Sequence, residues 1–409
     1  MTRVNPPSRG GVCRTDALQT GAISAAESCR SFEALTSRTI NRSKGNTLMT
    51  SGFSRLRSLA GSSVAGLACG VWFALAAPQA ASAAERVIIA STGGAFDRAL
   101  TEAWFNPFTE ETGIEVIVVV ATNAEMRARA AAMTQTGNVT WDLYLEGEIQ
   151  AGSAAHRAVS EDLTEFCRQY ADRADLPGNA CTAGGALLQS TATLLAYRTG
   201  EGDGSEPRTW ADMWDTERFP GGRSFPNFDD PWRVMAAALL ADGVPREELF
   251  PIDVERALAK LEEIRPAISL WWRTGDQSVQ GFRSGDYSLG QIWLTRAKAM
   301  RDEGLPIGWS YQGAFLVGDR ISLLRGAPNR ENALKLISYW LDSPQAQAAA
   351  CEVLSCTPPS SEAIAMMSEE VRSTMPTAEE INESIVVPDA EWINENAATL
   401  LQRWNEWIR

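Results

Sequence analysis

The sequence predicts an α/β fold in which strands and helices alternate along the chain and a mostly parallel sheet lies between layers of helix. Two observations carry this. Residues Arg86 to Leu145 read strand, helix, strand, helix, strand, the rhythm of parallel strands joined by helical crossovers. The 325 residues from Glu85 to Arg409 are enough for a buried core divided over two lobes. A third observation concerns destination. Arg55 and Arg57 precede an apolar stretch from about Leu59 to Ala77 that ends at Ala81-Ser82-Ala83: a charged start, an apolar middle and a small-residue cleavage site, the pattern of an export signal. Met49 stands six residues before Arg55, and residues 1–48 are rich in Ser, Thr and Arg with no apolar period. Met49 is therefore the expected start, 1–48 a mis-assigned upstream segment, 49–84 a signal peptide, and the periplasm the expected location.

In order, Arg86-Val-Ile-Ile-Ala90 is a β-rich run broken at Ser91-Thr92-Gly93-Gly94. A helical pattern over Ala95–Thr112 stops at Gly113, and Ile114–Val120, rich in β-branched residues, reads as the second strand. Glu125–Met133 reads as helix, Trp141–Leu145 and Leu187–Tyr197 as strands, and the Gly- and acid-rich stretch Thr199–Glu206 as a linker. Pro231 opens a helix through Ala241, with Asp229 or Asp230 placed to cap it. Asp253–Ile264 is helical up to Arg265-Pro266. Ile268–Trp272 is a strand, Gln277–Arg283 a helix, Tyr287–Trp293 a strand, and Thr295–Glu303 a helix. Phe315–Leu324 reads as strand, Asn332–Leu341 as an amphipathic helix, and Glu391–Ile408 as a C-terminal helix.

From Glu85 onward the chain carries 28 basic and 48 acidic side chains, a net charge of −20. Such a surface argues against nucleic acid and against anionic membrane as partners. Four cysteines remain after the signal: Cys167, Cys181, Cys351 and Cys356. In an oxidising compartment their closeness suggests bridges Cys167–Cys181 and Cys351–Cys356, although three pairings are possible. Their spacing fits no zinc pattern, and the only histidine, His156, follows a small-residue run that reads as a solvated surface helix. No metal, no cofactor and no nucleophile–histidine pair is expected. Glu146 and Glu148 are a candidate carboxylate pair for glycoside hydrolysis, a lesser reading than a protein that is not an enzyme.

Several landmarks follow one another in a telling order: Phe108-Thr-Glu-Glu-Thr-Gly-Ile-Glu-Val116, Thr209-Trp-Ala-Asp-Met-Trp-Asp215, Arg218-Phe-Pro-Gly221, Ala238-Leu-Leu-Ala-Asp-Gly-Val244 and Gly326-Ala-Pro-Asn-Arg-Glu-Asn-Ala333. The set resembles the periplasmic solute-binding proteins of ABC importers, specifically the spermidine/putrescine-binding family, over nearly all of residues 86–409. The resemblance implies a type II periplasmic binding protein fold: two α/β lobes joined by crossing strands, with lobe 1 at 86–197 plus 317–366 and lobe 2 at 198–316 plus 367–409. It also implies a monomer that closes over a small solute and docks on a permease in the inner membrane.

A polyamine such as putrescine or spermidine needs carboxylates for its ammonium groups and aromatic walls for its stem. By resemblance, Asp319 and Asp230 match acids that hold an amine, Trp293 matches an aromatic wall, and Trp392 lies beside a ligand position in the C-terminal helix. Other positions depart. Thr92, Gly93 and Gly94 stand where polyamine binders carry an aromatic and an acid, Val317 replaces a second aromatic, and Gln312 stands where an acid often sits. Two glycines at the mouth of a helix offer bare N–H groups that suit an anion, with Arg233 and Arg296 as candidate helpers. The expectation is an amine-bearing solute, polyamine-like, held by Thr92, Gly93, Gly94, Glu146, Glu148, Asp230, Trp293, Gln312, Asp319 and Trp392. The alternatives are a carboxylate-bearing, amino acid-like or opine-like zwitterion and, with one His and few Tyr against it, ferric ion.

Overall fold

The structure, a computed structural model, describes residues 85–201 and 204–409; the expected export signal, 49–84, and the expected upstream segment, 1–48, lie outside the described residues. Nine strands among these residues join one sheet: β1 Arg86–Ser91, β2 Glu115–Val120, β3 Leu143–Gly147, β4 Cys181–Thr182, β5 Gly185–Arg198, β6 Arg223–Pro226, β7 Ile268–Trp272, β8 Leu289–Trp293 and β9 Ile307–Leu323. Their order is β2-β1-β3-β9-β5-β8-β6-β7, with β4 paired to β5 off this path. One wing has β1 parallel to β2 and β3; the other has β6 parallel to β7 and β8. Between the wings β5 and β9 run antiparallel to each other, from Ala186 opposite Ile321 to Arg198 opposite Ile307. Each is long enough to serve both wings in turn. β9 pairs with β3 near Asp319–Leu323, and β5 pairs with β8 near Thr193–Tyr197.

Local chemistry explains the elements that frame the space between the wings. The helix Asn123–Thr136 begins in a capping box: Thr122 accepts from the Glu125 N–H, and the Glu125 carboxylate accepts from the Thr122 N–H at 2.8 Å. The helix Trp232–Ala241 opens with Trp232 and Arg233, continues in Val, Met, Ala and Leu, and is buried almost throughout. Pro231, not an aspartate, occupies its cap position, with no side-chain cap hydrogen bond. The Asp230 carboxylate instead accepts from Arg233 and Gln150, stronger charge-assisted bonds than a cap offers. The first helical stretch starts at Gly94 and continues through a π-helical segment, Thr101–Phe105, to Thr112. Gly113 ends it in the left-handed conformation, φ 74°.

The wings have separate apolar cores. One gathers Ile89, Trp104, Phe108, Leu143, Leu188, Ile321 and Trp340. The others gather Trp210, Phe225, Trp232, Leu195 and Trp404 on one face and Leu194, Phe282, Tyr287 and Ile292 on the opposite face. On β5 the change of core falls between Leu188 and Ala192, earlier than the lobe limit expected at Tyr197. After β9, Met367, Val371 and Met375 still pack with the first wing and Ile385 with the second. We therefore propose lobe limits inside β5 and β9 and near residue 380. β9 begins eight residues before the expected Phe315. Its first half escaped notice because Gly308 and Gly313 interrupt it, Gly313 at φ 71°. β6, four residues beside Gly221-Gly222, gave no periodic signal at all.

His156 is not solvated. It is buried, its Nδ1 shares a 2.8 Å hydrogen bond with the Tyr144 hydroxyl, and Nε2 lies 3.0 Å from the Gly184 carbonyl. Burial pushes its pKa down to about 4. The ring is therefore neutral, donating to Gly184 and accepting from Tyr144, and it ties helix Ala154–Val159 to the sheet. Bridges Cys167–Cys181 and Cys351–Cys356 are both formed. The second braces the loop whose Thr357 exchanges backbone hydrogen bonds with Ser190 of β5 at 2.8 and 2.9 Å. Opening Cys167–Cys181 with two serines should lower the unfolding free energy by about 3 kcal/mol, since it closes a loop of that length in the unfolded chain. Opening Cys351–Cys356, with its shorter loop, should cost less. Urea unfolding of the two double variants checks the order.

Candidate functional site

Where the wings face each other, β5 and β9 form the floor of a cavity of about 70 Å³. One wing lends Thr92, Phe96, Asn123, Arg127 and Gln150, and the other lends Phe228, Asp230, Arg233, Trp293 and Arg296; Gln189, Thr191, Val317 and Asp319 lie on the crossing strands. Thr92, Asp230, Trp293 and Asp319, all expected in the site, line this cavity. Trp293 stacks on Phe228 with ring centroids 5.6 Å apart, and both meet buried Trp272 edge-on at 5.2 and 5.0 Å. The aromatic wall is thus a braced cluster.

The remaining expected residues lie elsewhere. Glu146 is buried behind Arg127, which donates to it at 2.8 Å. Glu148 accepts from Arg320 at 2.8 Å and from Asn179 at 3.2 Å, on the far side of β9. The two carboxylates serve separate arginines and make no catalytic pair. Gln312 is exposed and donates to Ser384, and Trp392 packs edge-on against Phe250 at 6.0 Å. Gly93 and Gly94 act through shape, both in the left-handed region at φ 80° and 70°. A Cβ on Gly94 would sit 2.8 Å from Arg296 Nη1, and the Gly93 carbonyl accepts from Arg296 Nη2 at 3.1 Å. Gly94 therefore makes room for a guanidinium, and a Cβ on Gly93 would instead meet Val120.

That guanidinium belongs to a set. Arg233 and Arg296 lie in the first turn, and Arg127 at the start of the second turn, of helices Trp232–Ala241, Leu294–Asp302 and Asn123–Thr136 that begin near the cavity. Helix N-termini add partial positive charge to the side chains. Arg127 crosses the cleft: held by Glu146, it reaches Asp229 on the opposite wing through Nη2 and, at 3.1 Å, through Nε. Burial alone would lower its pKa, but Glu146, Asp230 and Asp229 outweigh burial and keep it charged. Arg233 donates to Asp230 at 2.5 Å. Arg296 is 3 % exposed, and its nearest acid is exposed Asp276 at 3.7 Å. The Nε atoms of Arg233 and Arg296 are buried without a hydrogen-bond partner. Arg223, buried in the second wing's core, is the contrast: four backbone carbonyls, of Met213, Asp215, Phe219 and Gly221, receive its donors.

Asp319 is the counterpart. Its hydrogen bond is from neutral Gln189 Nε2 at 2.9 Å, and burial raises its pKa against the pull of Gln189 and Arg233. Sequence reading missed Gln189, Thr191 and Arg127. The first two sit inside an apolar strand, and the third on a helix whose register against the cleft no local pattern reveals.

Burial also pushes the Glu146 carboxyl up to about 7, against Arg127. The native chain thus binds this proton more tightly than the unfolded chain does. That contribution to stability is complete below about 4.5, the ordinary value, and is lost as pH rises through about 7. Glu146→Gln should flatten that part of the pH profile of the unfolding free energy, measured by urea melts at successive pH values.

Comparison with known proteins agrees with this architecture. The family profile described as bacterial extracellular solute-binding protein matches residues 103–377. The gamma-aminobutyric acid-binding protein of Pseudomonas aeruginosa PAO1 is 30% identical over 343 residues, covering 82% of this chain and 94% of that protein. The spermidine/putrescine-binding periplasmic protein of Escherichia coli K12 is more distant, 26% identical over 296 residues, covering 70% of this chain and 79% of that protein. Among solved structures, the periplasmic binding protein AttC of Agrobacterium tumefaciens C58, in an open unliganded conformation, is 66% identical, with a TM-score of 0.60 over 80% of this chain and 100% of that one. The fold is the type II periplasmic binding protein fold, and the chain belongs to the bacterial extracellular solute-binding protein family, whose members hold a small solute for an ABC transporter and transform nothing.

Proposed function

We propose that the cleft captures a compact zwitterion, an amino acid-like solute with an amine at one end and a carboxylate at the other, for delivery to an ABC permease from the periplasm. One observation carries this reading: an acid without a cationic hydrogen-bond partner, Asp319, and a guanidinium whose ion pair is a loose one, Arg296 at 3.7 Å from exposed Asp276, line the same cavity. The amine meets Asp319, the carboxylate meets Arg296 and the open Nε of Arg233, and Trp293 and Phe228 flank the stem. A polyamine fits less well. Its charges are all positive, and three arginines and three helix N-termini surround the cavity. The similarity to a gamma-aminobutyric acid-binding protein points the same way.

Titration calorimetry of the purified protein tests this. 4-Aminobutyrate and its homologues one carbon shorter and longer should bind at least tenfold more tightly than putrescine or spermidine. Arg296→Gln and Asp319→Asn should each weaken the tightest of them by about 1.5–3 kcal/mol, the value of a hydrogen bond to a charged group. A polyamine binding more tightly than every zwitterion would sink the reading.

A further inference from the structure

The floor of the cavity carries more acceptor capacity than a single carboxylate. Gln189 and Thr191 lie on β5, Val317 and Asp319 on β9, in register as Gln189 opposite Asp319 and Thr191 opposite Val317. Residues two apart on a strand share a face, so the four side chains form one patch, and all four line the cavity. Gln189 is 2 % exposed and Thr191 5 %. Gln189 Oε1 and Thr191 Oγ1 are both buried with no hydrogen-bond partner. The amide cannot turn round without loss. Its NH₂ donates to Asp319 at 2.9 Å, which keeps Oε1 as the free end. A buried polar atom without a partner is costly, and two on the strand face that carries a carboxylate mark a place that a donor-rich group would complete.

From this arrangement we infer that Asp319, Gln189 Oε1 and Thr191 Oγ1 form a three-acceptor seat that selects a primary ammonium over methylated amines. A primary ammonium presents three N–H donors, one for each acceptor. Each N-methyl group removes a donor, leaves an acceptor orphaned and adds bulk against a close-packed floor. A site specialised for quaternary amines looks different: it surrounds the cation with aromatic faces, and here the aromatics Phe96, Phe228 and Trp293 stand on the walls while the floor carries Gln189, Thr191 and Asp319. The inference rests on the cleft being the solute site and deepens it by naming the chemistry of the solute's cationic end.

The test uses 4-aminobutyrate, its N-methyl, N,N-dimethyl and N,N,N-trimethyl derivatives, and the carboxylate-free amines n-butylamine and trimethylbutylammonium, titrated calorimetrically into the full protein. Affinity should fall at each methylation and by at least 100-fold at the trimethyl stage. Thr191→Val, close in volume, should weaken the primary amine about tenfold and the trimethyl derivative hardly at all, with the unliganded melting temperature reporting that the variant folds. Gln189→Glu retains an acceptor and should keep the preference for a primary ammonium. Equal affinity for the primary and trimethyl forms, equal losses for both in Thr191→Val, or no binding by any primary amine would each overturn the seat. Tight binding of n-butylamine with the same penalty for methylation would uphold the seat while removing the carboxylate end of the proposed function.

Discussion

The pairing of β5 with β9 is the constraint on which the other features rest. These strands pair from Ala186–Ile321 to Arg198–Ile307, with register shifts near Leu187–Gln189 and Thr193–Leu195, while the parallel strands on either side belong to different wings. A strand that passes from one core to another must satisfy its backbone along the whole crossing; mutual antiparallel pairing does most of this, and Thr357 and Val386 take up Ser190, Ala314 and Leu316. The crossing is thus the part of the cleft held chiefly by the two strands' own pairing. Asp319, Gln189 and Thr191 are placed there, and the Cys351–Cys356 loop is pinned to the same point through Ser190. The charged arms that reach in from the helices, Arg127, Arg233 and Arg296, ride on the wings instead.

Electrostatics divides the arginines of this protein by purpose. Arg223 and Arg320 are buried with their donors received by carbonyls, a hydroxyl and, for Arg320, Glu148. Their desolvation is offset inside the fold. Arg233 and Arg296 are equally sheltered but incompletely bonded. A guanidinium kept out of water with an idle donor is unfavourable in the empty protein, and a bound carboxylate would repay that deficit. The same holds with opposite sign for Asp319. The cavity thus gathers several buried groups that the fold leaves incompletely bonded.

The α/β rhythm, the long apolar strand over Leu187–Tyr197 and both disulfides were legible in the sequence because each rests on local pattern or spacing. Asp319 came instead through the family resemblance, and it lines the cavity. Gln189 and Thr191 were not legible, since polar residues inside a buried strand give no sign of which face they occupy until the register with β9 is known. Glu146 and Glu148 misled for a related reason. Two residues apart at the end of β3, they look like a functional pair, but the chain turns into helix at Glu148 and delivers them to different arginines. Gly93-Gly94 signalled a special backbone correctly. Its use, making room for a side chain that arrives from some 200 residues away, is a tertiary matter that no local reading contains.

Arg127 joins Asp229, Gln150 joins Asp230 and Arg296 joins the Gly93 carbonyl, all from one wing to the other and none through a solute. Shutting is therefore partly self-supporting. In a receptor built this way such contacts would favour the shut form by themselves, so shape alone would be a poor signal to a membrane partner that cargo is aboard. Discrimination between loaded and idle molecules would then come from lifetime, a solute bridging both walls prolonging the shut posture.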